Sequence, residues 1–197
     1  MADVDSKIRA ACEAGDFHRA ATHAIQDYGP ELMGFLVVVM RDRNMAGDVF
    51  SDVCVRMWKS LPNFRWESSF RTWMYVVARR ACHAHRRAQA DARERRVPLS
   101  DVPELDALIV RMRTTTLAKL DKPGTTRAER LRARLTPDEQ MLLTLRLDRE
   151  LDWRAIARVL TDLESIDDDA LTREAAGLRK RFERIKEKLK RFAAVEL

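Results

Sequence analysis

The sequence predicts an all-α protein, and three observations carry that expectation. Gly and Pro number only six each in 197 residues, too little turn chemistry for an all-β fold. Apolar residues recur at helical spacing in segment after segment. Charged residues at 35% beside 46% apolar residues fit soluble, helix-rich material, and the length suits one large or two small domains.

Taken in order, residues 5–14 and 16–27 read as short helices separated at Gly15. Tyr28-Gly29-Pro30 reads as a breaker, with Pro30 at the next helix start. Residues 31–41 contain the apolar run Phe35 to Met40 and belong in the core. A polar turn over 41–44 leads to a helix over 45–60, with Phe50, Cys54, Met57, Trp58 and Leu61 on one face. Asp48, Asp52 and Arg56 form an i, i+4 stripe on another. Pro62 ends this helix. A short loop with Phe64 and Trp66 follows, and Glu67-Ser68-Ser69 offers capping groups for orphan amides. The helix over 69–88 should bury Phe70, Trp73, Met74, Val77, Ala78 and Ala81. That leaves Arg71, Tyr75, Arg79, Arg80, His83, Arg86 and Arg87 outward.

Beyond Gln89 the period fades, and residues 91–106, with Pro98 and Pro103, read as linker. Residues 106–120 are expected to be helical, and 121–126 to break the chain. Thr136, Pro137 and Glu139 form a capping-box signature before a helix over 137–147. Asp152 caps the next helix, whose Ile156, Val159 and Leu160 point inward. An acidic stretch, Asp162 to Asp169, precedes a basic helix over 170–193. Its apolar stripe is Leu171, Ala175, Leu178, Phe182, Ile185, Leu189 and Phe192. Two helices, a turn and a basic helix make the helix-turn-helix pattern, whose last helix enters the major groove.

Charge distribution points the same way. The net charge is +6. The basic excess concentrates in two blocks, Arg71 to Arg96 and Arg173 to Leu197, which suits two contacts with a polyanion. An aromatic loop beside a basic helix is what pulling bases from a DNA stack requires. Cys12, Cys54 and Cys82 are widely spaced and read as small buried apolar residues. His83 and His85 point in different directions on a helix, so they make no metal pair. No metal, cofactor or catalytic constellation is expected, and the chain is not read as an enzyme. The start lacks a signal-peptide pattern, and the longest apolar run is too short for a bilayer, so the expectation is a cytoplasmic protein with no membrane partner.

These residues resemble bacterial RNA polymerase sigma factors of the extracytoplasmic-function type. The segment Asn63 to Arg79 is similar to that family's minus-ten recognition signature, and Asp48 to Trp58 to its core-polymerase-binding helix. Residues 14–16 and 28–32 resemble its opening; 135–140 and 151–157 resemble its second domain. The resemblance implies a sigma-2-like helical bundle over 1–90, a linker over 91–112 and a sigma-4-like helix-turn-helix domain over 113–197. It implies promoter DNA and core RNA polymerase (β′ clamp helices and β flap) as partners, with an anti-sigma factor as a further one. Asp48, Ser51, Asp52 and Arg56 take the polymerase-binding role, since a carboxylate stripe suits a basic partner helix. Phe64, Arg65, Ser68, Arg79, Arg80, His83 and Arg86 take the minus-ten contacts, and Trp73 a structural one. Arg179, Lys180, Arg181 and Arg184 take the minus-thirty-five contacts, some on bases and some on phosphate. The linker would thread toward the polymerase active-site cleft and RNA exit path.

The chain departs from the family pattern at Ser51, where glutamine is usual, at Trp66, where glycine is usual, and at Arg80, where asparagine is usual. The acidic stretch 161–169 replaces a tight glycine-containing turn. Two other readings stay open on sequence alone. One is a helix-turn-helix regulator acting without polymerase. The other is a sigma-like interaction protein that starts no transcription.

Overall fold

The computed structural model describes residues 4–91, 102–120, 126–161 and 167–195. Among them the regular structure is helical throughout: α1 (Val4–Glu13), α2 (Phe17–Met40), α3 (Arg43–Ser60), α4 (Phe70–Asp91), α5 (Pro103–Lys119), α6 (Arg127–Ala133), α7 (Pro137–Leu143), α8 (Trp153–Leu160) and α9 (Asp168–Val195). The chain divides into two compact units, residues 1–120 and 121–197. Of the expected linker, residues 92–101 lie outside the described residues, as do 121–125 of the expected break and 162–166 of the acidic stretch.

In the first unit α2 is the central element, packed against α1, α3, α4 and α5. The expected break at Tyr28-Gly29-Pro30 does not occur: α2 runs unbroken through Pro30. A proline inside a helix removes one backbone hydrogen bond and crowds the preceding turn, at about 3 kcal/mol. Burial offsets this, because Ile25, Tyr28, Leu32, Met33, Phe35 and Leu36 are all in the core, each stabilising by about 1.5–3 kcal/mol where large and apolar. Asp16 caps the start of α2 through the Arg19 amide, and Arg41, at φ 59°, closes its end in the left-handed region. Asp42 then caps α3 through the Met45 amide.

The expected domain boundary after residue 112 is also displaced. Helix α5 belongs wholly to the first unit, lying on α2 and α3. It buries Leu105, Leu108 and Ile109. Met112 sits over Gly29, where an added Cβ would come within 2.8 Å of its Cγ, so the missing side chain is what lets α5 approach α2. Arg43, at the start of α3, donates to the carbonyls of Leu117 and Leu120. Those carbonyls lie at the end of α5, where no further turn can satisfy them.

The second unit stacks α7 and α8 on α9, with α6 against the distal part of α9. The capping box at Thr136 and Glu139 is formed in both directions, the Thr136 amide donating at 2.8 Å and the Glu139 amide at 3.3 Å. A second one, Thr126 with Glu129, starts α6; the sequence reading took this region only as a break. Helix α7 loosens into a wide π-type turn over Thr144–Asp148. Asp152 then caps α8 through the Arg154 and Ala155 amides. On α9, Leu171, Ala175, Leu178, Phe182 and Ile185 are buried, while Leu189 and Phe192 are half-buried.

Candidate nucleic-acid and partner interface

The loop between α3 and α4 is a cluster of rings. Phe64 stacks on Trp73 with centroids 4.6 Å apart and planes 29° apart. Trp66 lies 4.8 Å from Phe64 on another side, and Phe70 meets Phe64 edge-on at 5.8 Å. Phe70 is buried; Phe64, Trp66 and Trp73 are half-buried, so the cluster keeps an open side. Trp73 was expected on the buried face of α4 and is instead part of this open surface. Trp66 adopts φ 57°, a left-handed conformation that favours glycine. Its ring is covered by the Arg9 guanidinium from α1, 5.4 Å from the centroid.

The start of α4 is held by residues far away in sequence. Ser69 Oγ accepts from the Thr72 amide at 3.1 Å, as the expected capping chemistry requires. The Phe70 amide donates to Asp5 of α1 at 2.9 Å, and Asp5 also accepts from the Tyr28 hydroxyl at 2.6 Å. Glu31 of α2 accepts from Arg71 at 2.5 and 2.8 Å and from the Tyr75 hydroxyl at 2.6 Å. Arg71 and Tyr75 were expected to face outward. The structure turns Arg71 onto α2 and buries Tyr75 completely. These contacts fix α4, and through it the loop, against α1 and α2.

The expected cation row on α4 is thinner than the sequence suggested. Arg79 is only 9% exposed, which removes it from the outer face. Arg86 donates to the Val39 carbonyl at 3.0 Å, at the negative end of α2 where a cation is favoured. Arg80 and Arg87 are exposed, and His83 and Ala84 half-exposed. With Trp73 and Val76 they make one continuous stripe at three- and four-residue spacing. Arg87 was expected outward and is; Trp73 was not, and the i, i+3, i+4 period read back from Arg87 and Arg80 would have found it. In the loop, Arg65 is exposed and Ser68 half-buried, its hydroxyl donating to the Ser69 carbonyl at 3.2 Å.

On α3, Asp52 pairs with Arg56 at 2.7 Å, and both are partly exposed. Ser51 donates to the Gly47 carbonyl. Asp48 pairs with Arg113 of α5 at 3.2 Å, a partner the sequence reading did not foresee. The cysteines are free thiols. Burial pushes Cys82 up to about 12, against the opposing pull of the Arg86 charge, and raises Cys54 as well. Burial thus holds both thiols in the protonated form at neutral pH. No group of three or more His, Cys, Asp or Glu suited to a metal ion occurs among the described residues.

In the second unit Arg179, Lys180, Arg181 and Arg184 are all exposed on α9. The Arg179 guanidinium reaches over the Trp153 ring of α8 at 6.0 Å, and Trp153 meets Phe182 edge-on at 5.5 Å. Arg154 bridges α8 to the start of α9 through Asp168 and Thr172. Among the described residues no helix is long and apolar enough to cross a membrane.

Comparison with known proteins gives this geometry a context. Residues 24–92 match the family described as Sigma-70 region 2. The chain is 32% identical over 103 residues to the RNA polymerase sigma-H factor of Pseudomonas aeruginosa, an alignment that takes in 52% of this chain. The chain thereby spans about half the length of that curated relative, 51%. No solved structure matches the chain. The matched stretch covers most of α2, all of α3, the aromatic loop and all of α4, so the similarity to Sigma-70 region 2 falls on the elements that build the ring cluster and the acidic stripe.

Proposed function

We propose that this protein binds core RNA polymerase and directs it to promoters, holding the opened minus-ten strand on its first unit and the minus-thirty-five element on its second. The observation that carries the reading is the open ring cluster of Phe64, Trp66 and Trp73 continuing into the stripe of Arg80, His83 and Arg87. Rings with one free side stack unpaired bases at about 1–3 kcal/mol each, and adjacent cations take the phosphates. Arg65, at the rim of the loop, and Ser68 complete the surface. Asp48, Ser51, Asp52 and Arg56 on α3 supply the face for the β′ clamp helices. The second unit docks near the β flap, with Arg179, Lys180, Arg181 and Arg184 over the major groove. The polymerase performs the chemistry, and this chain supplies recognition and strand separation.

Run-off transcription with core polymerase and genomic promoter fragments tests the reading. Addition of the protein should create defined start sites that core enzyme alone does not use. Footprints that form equally without polymerase would point to an independent DNA-binding regulator instead. Asp48→Lys with Asp52→Lys should abolish polymerase binding while helical circular dichroism is retained; unchanged affinity would refute the role of α3.

A further inference from the structure

Helix α5 packs on α3 beside the first carboxylate of its stripe. The Arg113 guanidinium rests on Gly47 and Asp48. A Cβ built on Gly47 would stand 2.3 Å from Arg113 Nε and 2.8 Å from its Cζ, while Nη1 pairs with Asp48 at 3.2 Å. One and two turns further along α3, Asp52 and Arg56 remain 40% and 46% exposed. The carboxylate stripe is therefore covered at its first residue and open beyond it. The cover is held at other points too: Met112 fits against Gly29, and Arg43 grips the carbonyls at the end of α5. Yet the Asp48–Arg113 pair is about one-third exposed on each side, and such pairs are weak and exchangeable.

We propose that α5 is a displaceable occupant of the polymerase-binding face, with Arg113 standing in for a basic side chain of the partner helix. This rests on the reading of α3 given above. The partner engages the open end at Asp52 first. It then reaches Asp48 only by taking over the carboxylate from Arg113, so the resting chain holds back full binding. A basic helix is the occupant whose chemistry matches: what Arg113 now donates to Asp48, a lysine or arginine of the partner supplies instead. Glycine at position 47 is what admits either guanidinium so close to the α3 backbone.

Two variants of the full chain test this by affinity for core polymerase. Arg113→Met keeps the aliphatic stem but removes the ion pair with Asp48, and it should bind about two- to fivefold more tightly, the range expected for loss of one competing pair that is about one-third exposed. Gly29→Cys with Met112→Cys ties α5 to α2 by a disulfide. The oxidised form should lose tenfold or more in affinity and regain it with reductant, with the wild-type chain unaffected by the same treatment. Equal or weaker binding by Arg113→Met, or unchanged affinity of the oxidised double-cysteine chain, would overturn the proposal. In either case a wild-type chain that binds polymerase, and an Asp52→Lys chain that does not, would leave the role of α3 standing. A wild-type chain that binds no polymerase would instead bring down that role and this proposal together.

Discussion

At the scale of single residues, Trp66 shows how a substitution can work against the backbone and be retained by its neighbours. Its φ of 57° costs a bulky side chain about 1–2 kcal/mol, where the resemblance implies glycine. The contacts with Phe64, Phe70 and Arg9 return a similar amount, at about 0.5–1.5 kcal/mol per aromatic pair. Trp66→Gly should therefore shift the urea midpoint of the chain little, by about 1 kcal/mol or less in stability, while removing one stacking surface from the loop. Phe64→Ala is different: its ring contacts three others, and loss of about 2 kcal/mol is expected from a half-buried phenylalanine. On promoter DNA it should slow opening more than initial binding, as stopped-flow fluorescence of a labelled minus-ten strand would report. Opening at the wild-type rate would remove Phe64 from strand separation. The importance of this loop was legible in the sequence because rings and capping residues stand side by side there. The inward turn of Arg71, Tyr75 and Arg79 was not, since Glu31 is 40 residues from Arg71 and a single helical wheel does not show that α4 is packed on more than one side.

At the scale of elements, local chemistry was readable where the partners are three or four residues apart and misleading where they are not. The Thr136–Glu139 box could be named from spacing alone. The third contact of the same carboxylate, from Lys188 on α9 at 2.8 and 3.0 Å, could not. Burial raises the Glu139 pKa, but the bonds from Lys188 and Thr136 outweigh it and hold the carboxyl below its ordinary 4.5. A carboxyl whose folded pKa is depressed adds stability above its unfolded pKa and loses it as pH falls through the folded value. The second unit should accordingly weaken below about pH 4.5. Glu139→Gln should lower stability at neutral pH and flatten this acid dependence, as urea titrations at pH 7 and pH 3 would show; parallel curves for both proteins would contradict the assignment. Pro30 is the opposite lesson. Its local preference for a break is sound, but α2 lies at the centre of four packed helices, and tertiary burial decides the outcome.

At the scale of the whole molecule, the fading of the helical period beyond Gln89 pointed to two helical units, whereas the position of the divide was not legible. Residues 106–120 show a helical pattern either way, and nothing local says which unit they join. The decision is made by shape at α2 and α3: two glycines, Gly29 and Gly47, leave room for Met112 and Arg113. This makes the boundary measurable. A fragment of residues 1–120 should unfold cooperatively, because it contains the whole of α5 and its contacts with Arg43 and Asp48. A fragment ending at residue 112 lacks Arg113 and the carbonyls of Leu117 and Leu120, yet retains Leu105, Leu108 and Ile109. It should be less stable than the longer fragment and should fray at its truncated helix, since the last turns now lack both capping and side-chain anchors. Equal midpoints in urea for the two fragments would mean that the end of α5 adds nothing to the first unit. A lower midpoint for the shorter one would place the energetic boundary at the same position as the geometric one, and would show that α5 is held by its polar end as well as by its apolar face.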